Sequence, residues 1–427
     1  MILGFAGETG PHSIIPTKIF QNKILNETDE RSRKSIYDYK QLVNKQKQSI
    51  STSTPTQSLE QATSSLKLDD SNEEVECLKQ ILNEFLYRIY YKILNANSRE
   101  RKVVIVESMF TSSEFRNTLA NVLFKNFQAV SVVFVSSHVS SLYTLAISTG
   151  LVIDCGYSDC EILPIAEGMP MIGLADFVDL GAKRLHKHIE EVIKKYSFIT
   201  VGTEKRPFSS VHPQPDLNEN VLEDIKLRCC FVTTFERSRQ IENELQSKNI
   251  TSYDDYNKLE FKFAPDCEYN LVNNLILTIP GYLRETIFEI MFIDRDEGSQ
   301  TIANLILDTI IKCPIDLRKE MTSNIVLIGG TCMLNGFKHR LVNELNFLIQ
   351  QSDSKKYGQD YLTSLPFKEL RFHVPPSHDN YTAWLGGAIF GALETLDLYS
   401  ISNSKYKESE TLSDFFTINS KDEMVQI

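Results

Sequence analysis

The chain has no CxxC pair, no uninterrupted apolar run of the about 18 residues that a membrane span needs, and a single tryptophan. Its eight cysteines, at 77, 155, 160, 229, 230, 267, 313 and 332, are scattered, mostly through apolar runs. That spacing argues against a structural zinc site and a disulfide framework, and leaves free thiols in a reducing compartment. Basic residues are the minority, 45 Lys and Arg against 56 Asp and Glu, for a formal net charge of −11. A dedicated nucleic-acid surface would show the opposite bias. No basic-then-apolar leader opens the sequence, so the expectation is a soluble intracellular protein without membrane insertion.

What is present is ordinary globular material. Hydrophobic residues make up 42% of 427, enough for a sizeable core and about two to four domains. The first 20 residues read as a strand end, a turn and a second short strand. Residues 46–65 are 14 Ser, Thr or Gln out of 20, too polar to bury the surface that offsets chain entropy. Disorder is expected there, closed by an acidic loop at Asp69–Glu74. From Glu76, Leu78, Ile81, Leu82, Phe85, Leu86, Ile89, Tyr90 and Ile93 recur at helical spacing. Strands follow at 103–106, 130–135, 151–156, 160–165, 169–172 and 325–331. Helices are expected from Ser112 or Ser113, over about 137–148, and over 383–398. Residues 180–320 read as mostly helical, with irregular connections at 197–216 and 247–270 and a loose tail after 400. Apolar strands alternating with helices define an α/β fold with covered sheets.

Two strands end in glycine turns. Asp154-Cys155-Gly156 can offer backbone N–H groups to phosphate oxygens and a carboxylate to a hydrated Mg²⁺. Gly329-Gly330-Thr331 lets a flat base or ribose approach the backbone. Each alone is a weak signal that a buried strand ending in glycine also explains. His138 reads as a helix-cap or core histidine, Trp384 as core packing beside Gly386-Gly387, and Cys313 as a buried thiol. His186 and His188 point to different helix faces and cannot share a metal.

Six stretches in collinear order resemble actin and its relatives: Gly4-Phe5-Ala6-Gly7-Glu8 through Thr17, Leu142-Tyr143 before Val152-Ile153-Asp154-Cys155-Gly156, Leu163-Pro164-Ile165-Ala166-Glu167-Gly168, Asp179-Leu180-Gly181-Ala182, Ile328-Gly329-Gly330-Thr331-Cys332-Met333 with Gly336, and Pro375-Pro376 before Trp384-Leu385-Gly386-Gly387. The resemblance covers about residues 1–20 and 76–400. It implies an actin-like two-lobed α/β fold, each lobe a mixed sheet flanked by helices, around a nucleotide cleft. The lobes would be residues 1–150 with 377–427, and 151–376, with an insert of about 21–75 replacing the small subdomain. The implied ligand is ATP or ADP with Mg²⁺. It would be held by Asp154, Gly156, Gly181, Lys226, Gly329, Gly330, Thr331 and Met333, with Asp154 reaching the metal through water.

Within the family, phrases such as Cys313-Pro314-Ile315-Asp316-Leu317-Arg318-Lys319 are most similar to the actin-related proteins at the pointed end of dynactin. This implies a cytoplasmic, cytoskeletal structural subunit whose partners are the dynactin filament subunit and other pointed-end subunits. A chromatin-remodelling scaffold and a sugar-kinase-like phosphotransferase are the alternatives of the same fold.

The departures from the family pattern bear on mechanism. The first Asp-x-Gly phosphate loop is absent before Gly4, and the edge this would leave unpaired favours an incomplete start. Tyr157 and Ser158 stand in the second phosphate loop, Ser137 replaces the water-positioning Gln, Leu227 an acidic neighbour of Lys226, Leu334 an aromatic, and Asn380 a late Lys. The expectation is nucleotide bound structurally, if at all, and hydrolysed poorly. A low-complexity insert in place of the subunit-gripping loop implies a pointed-end face that accepts no further subunit.

Overall fold

A computed structural model describes residues 1–14, 18–20, 33–35, 66–202, 204–248, 256, 259, 261–271, 275–293, 300–350, 370–409 and 412. Residues 46–65, where disorder was expected, lie outside this set. The chain forms two compact units, Met1–Ser140 with Trp384–Ile427, and Ser141–Ala383.

The first unit is built on the strands Lys102–Glu107 and Ser131–Ser136, paired in parallel, with Ile401–Ser402 added antiparallel at the far edge. Val103, Val104 and Ile105 supply the β-branched run that suits such a sheet. Two helices cover one face. Ser113–Lys125 starts where Ser112 Oγ accepts the Phe115 N–H at 3.3 Å, a side-chain N-cap. Leu66–Arg88 lays Leu78, Leu82, Phe85 and Leu86 against Leu119, Val122, Leu123 and Phe124. Each such side chain contributes about 1.5–3 kcal/mol when fully buried. The helix ends in a π-turn at Ile89–Ile93.

Three expectations are corrected. The helix starts ten residues before Glu76, so Asp69–Glu74 lies on a helix rather than a loop. The helix expected over about 137–148 spans Ser137–Tyr143 only, and Ala146 takes a left-handed φ of 53° beyond it. Residues 401–409, expected to be loose, are folded: Asn403–Ser409 is a helix whose Tyr406 stacks on Phe124 with centroids 4.5 Å apart. One buried aromatic anchors this segment despite its polar neighbours.

Glycine is needed where the helix Thr382–Gly391 meets the sheet. A Cβ at Gly386 would sit 1.7 Å from Ser140 O, and one at Gly387 would sit 2.3 Å from Val106. Trp384, expected beside these glycines, is half-buried and packs at Gly4.

The second unit holds two sheets. The first orders Asp176–Val178, Cys160–Ala166, Gly150–Cys155 and Ile325–Ile328 side by side, with Met169–Pro170 paired to Cys160–Ala166. Gly150–Cys155 and Ile325–Ile328 run parallel, with Asp154 opposite Ile328. The second is a four-stranded antiparallel sheet, Glu204–Pro207, Phe198–Val201, Ile276–Ile279 and Cys267–Asn270. It corrects the irregular connections expected at 197–216 and 247–270, where three of its strands lie, while the helices of 180–320 stand as expected. Its strands are four residues long and its outer one, Glu-Lys-Arg-Pro, is exposed throughout, so no period-2 apolar signal exists to read. A continuous core runs from Leu151 and Ile153 through Leu185, Ile189, Leu277 and Leu283 to Ile306, Leu327 and Phe337.

Candidate functional site

The parallel register of Gly150–Cys155 and Ile325–Ile328 delivers both glycine turns to one end of one sheet. Asp154 is the last but one residue of its strand, and Gly156 begins a tight turn in which its N–H donates to Asp159 O at 3.0 Å. The helix Ala182–Tyr196 abuts the turn: Ala182 N–H donates to Gly156 O at 3.1 Å and Lys183 N–H to Tyr157 O at 2.8 Å. Gly181 has to be glycine, because a Cβ there would meet Asp159 N at 2.5 Å and Tyr157 O at 2.6 Å. Across the sheet, Thr331 Oγ1 donates to Gly156 O at 2.8 Å. Gly329 has φ +98°, and a Cβ on it would lie 2.2 Å from Cys155 O and 2.7 Å from Asp154 Oδ1. Its N–H donates to Asp379 O at 2.9 Å. The fold therefore brings Asp154, Gly156, Gly181, Gly329 and Thr331 together. Gly330 faces open space, since a Cβ added there would meet nothing within 4 Å, and Met333 is exposed.

Lys226 lies on the helix Glu219–Arg228 and is only 4% exposed. Its Nζ contacts Glu223 Oε2 at 2.5 Å and lies 3.4 Å from His186 Nε2. His186 Nε2 is itself 2.7 Å from Glu223 Oε2, and its ring meets Tyr157 edge-on at 6.5 Å. Tyr157, His186, Glu223 and Lys226 thus form a continuous string from the turn to the lysine. Burial pushes the Glu223 carboxyl up, but hydrogen bonds from His186 and Lys226 outweigh it and hold the pKa at about 2. Sequence reasoning missed Glu223 and weighed His186 only as a metal ligand. The Glu223–Lys226 pair is spaced i,i+3 on a helix and was there to be found.

Carboxylates crowd the turn. Burial raises the Asp159 pKa, and neighbouring Asp179 adds to it; burial also raises Asp379. Two buried polar atoms of this region, His186 Nδ1 and Asn380 Oδ1, have no hydrogen-bond partner among the described residues. Gly329 and Gly181 are accounted for by backbone packing alone. The open face at Gly330, the two orphaned atoms and the carboxylates fit a polar ligand accompanied by a cation, and do not fit a bare anion. Among the described residues no cluster of three or more His, Cys, Asp or Glu forms a direct metal-ligand set.

In the first unit, Ser137 and His138 are both buried. Burial lowers the His138 pKa to about 4, so the ring is neutral near pH 7. Among the described residues no helix is long and apolar enough to cross a membrane.

A mixed α/β chain in two units, with paired glycine turns at the ends of parallel strands, has the architecture of the actin fold. The family model described as actin matches residues 2–412, and the chain belongs to the actin family. It is 29% identical to actin-related protein 10 of Dictyostelium discoideum over 451 aligned residues, covering 99% of this chain and 88% of that protein. It is 26% identical to centractin of Saccharomyces cerevisiae, over 74% of this chain and 71% of that one. Putative actin-29 of Dictyostelium discoideum is 24% identical over 77% of this chain and 74% of that protein.

Proposed function

We propose that this chain is a structural actin-related subunit of dynactin. In this reading it caps the pointed end of a short actin-like filament and supports dynein-based transport along microtubules in the cytoplasm. The observation that carries it is the likeness to an actin-related protein along 99% of the chain, in place of one shared nucleotide motif. The similarity to centractin supports an actin-like filament as the setting. The partners are the filament subunit and its pointed-end neighbours.

Nucleotide, in this reading, is a structural ligand. Asp154 would hold Mg²⁺ through water, Gly156 and Thr331 would border the phosphates, and Gly181, Gly329, Gly330 and Met333 would border the nucleoside. The metal would supply charge neutralisation between phosphates and the carboxylates of the turn. Lys226 is committed to Glu223, which weakens any contact it makes with ligand. Tyr157, Ser158 and Ser137 lack the acidic and amide groups that orient an attacking water.

The test mixes purified full chain with preformed actin-like filaments from dynactin and images the ends. Occupancy of one end only, with no growth beyond it, is expected. Long filaments of the chain by itself would overturn the capping reading.

A further inference from the structure

Three thiols converge directly beneath the Gly156–Asp159 turn. Cys155 and Cys160 are cross-strand partners in the antiparallel pair Gly150–Cys155 and Cys160–Ala166. Their Sγ atoms are 3.0 Å apart. Cys332, which follows Thr331, hydrogen-bonds to Cys155, and its Sγ lies 3.1 Å from Ile328 O. All three are buried, while Tyr157 and Ser158, at the tip of the turn, are exposed.

We propose that Cys155 and Cys160 are an oxidation site, a dithiol that a small oxidant of the peroxide class converts to a disulfide across the turn. Directly opposed cross-strand residues bring two side chains close enough for a bond to form by rotation about the side chains, without backbone movement. The chemistry closes without further reagents. One thiol sulfur attacks a peroxide oxygen, the O–O bond breaks, and a sulfenic acid and one water result. The second thiol attacks that sulfur, the S–S bond forms, and the hydroxyl leaves with the second thiol proton as water. The two sulfurs together are oxidised by two electrons and the peroxide is reduced to two waters.

Burial sets the kinetics. Both thiols are buried and inaccessible to bulky alkylators, which slows their reaction. A molecule the size of hydrogen peroxide needs only local opening of an exposed turn, in contrast to loss of the sheet. The consequence reaches the neighbouring turn. A disulfide would take Cys155 out of its contact with Cys332, beside the Thr331 hydroxyl that donates to Gly156 O. Oxidation would thus brace the Gly156 turn on one side and release it on the other. None of this depends on nucleotide being bound.

The test uses the reduced full chain, exposed under native conditions to hydrogen peroxide, then denatured, alkylated and mapped without reduction by mass spectrometry. A peptide linking Cys155 to Cys160, lighter by two hydrogens, is expected, with Cys313 remaining fully alkylated as the isolated buried control. Cys332→Ser should retain that linkage, and Cys160→Ser should abolish it. Free Cys155 and Cys160 after native treatment would overturn the proposal. So would a linkage of Cys155 to Cys332, or a Cys155–Cys160 bond that appears only after unfolding. The wild-type map decides the matter even where a variant fails to fold.

Discussion

Truncating Arg340 should destabilise the second unit severely, through the charges left behind. The side chain is 1% exposed and is held by four groups. Its guanidinium donates to Glu289 at 2.8 and 2.9 Å, to Glu344 at 2.8 Å, to Thr233 O at 2.9 Å and to Ser238 Oγ at 2.9 Å. Glu289 and Glu344 are themselves 4% and 2% exposed. Arg340→Met removes the cation from Glu289 and leaves Glu344 with only the 3.3 Å contact from Arg239 among the described residues. Breaking a buried pair in this way costs about 3–5 kcal/mol, mostly as the uncompensated charge. The matched triple variant Arg340→Met, Glu289→Gln, Glu344→Gln removes the orphaned charges and should recover more than half of that loss. Urea unfolding followed by circular dichroism gives the differences, and hydrogen exchange over 285–345 localises them. A single variant within about 1 kcal/mol of wild type, or a triple variant worse than the single, would refute the reasoning.

Four further outcomes follow from the structure. Gly329→Ala, with φ +98° and a Cβ 2.2 Å from Cys155 O, should lose roughly 2–5 kcal/mol and lower the melting temperature by at least about 5 °C, whereas Gly330→Ala should be near neutral. Glu107 has its pKa raised from 4.5 to about 7 because burial outweighs Arg116, 2.6 Å away. A raised carboxyl contributes stability that is present below about pH 4.5 and lost as pH rises through about 7, on the order of 3 kcal/mol, and Glu107→Gln should flatten that slope in a pH series of melts. Glu223 and His138 act in the opposite sense. Their depressed values give stability that is present near neutrality and lost in acid, falling through about pH 4 for His138 and about 2 for Glu223, as an acid titration of circular dichroism would record. Steady-state phosphate release from the full chain with ATP and Mg²⁺ should stay near background, and robust turnover would contradict the structural reading.

The sequence was most legible where a long period or an apolar run dominates. The helix around Leu78–Tyr90, the strands Lys102–Glu107, Ser131–Ser136 and Gly150–Cys155, and the Ser112 cap all follow from local chemistry. The four-stranded sheet was illegible because each of its strands is four residues long and their partners are distant in sequence. The Asn403–Ser409 helix was hidden for a different reason, since a single aromatic holds a polar segment in place. At the candidate site, the Gly329 and Gly181 requirements were visible as glycines, but their cause is backbone approach within the protein. The His186–Glu223 contact spans 37 residues and the Cys155–Cys332 contact spans two strands, so neither leaves a local pattern to read.

Membership of a filament-end assembly is read out by isolating the full chain under native conditions. The tagged protein would be recovered from its own cells and its partners quantified by mass spectrometry. Dynactin subunits in fixed proportion are expected, the filament subunit and pointed-end components among them. Recovery with chromatin-remodelling subunits, or as a free monomer with no actin-related partner, would contradict it.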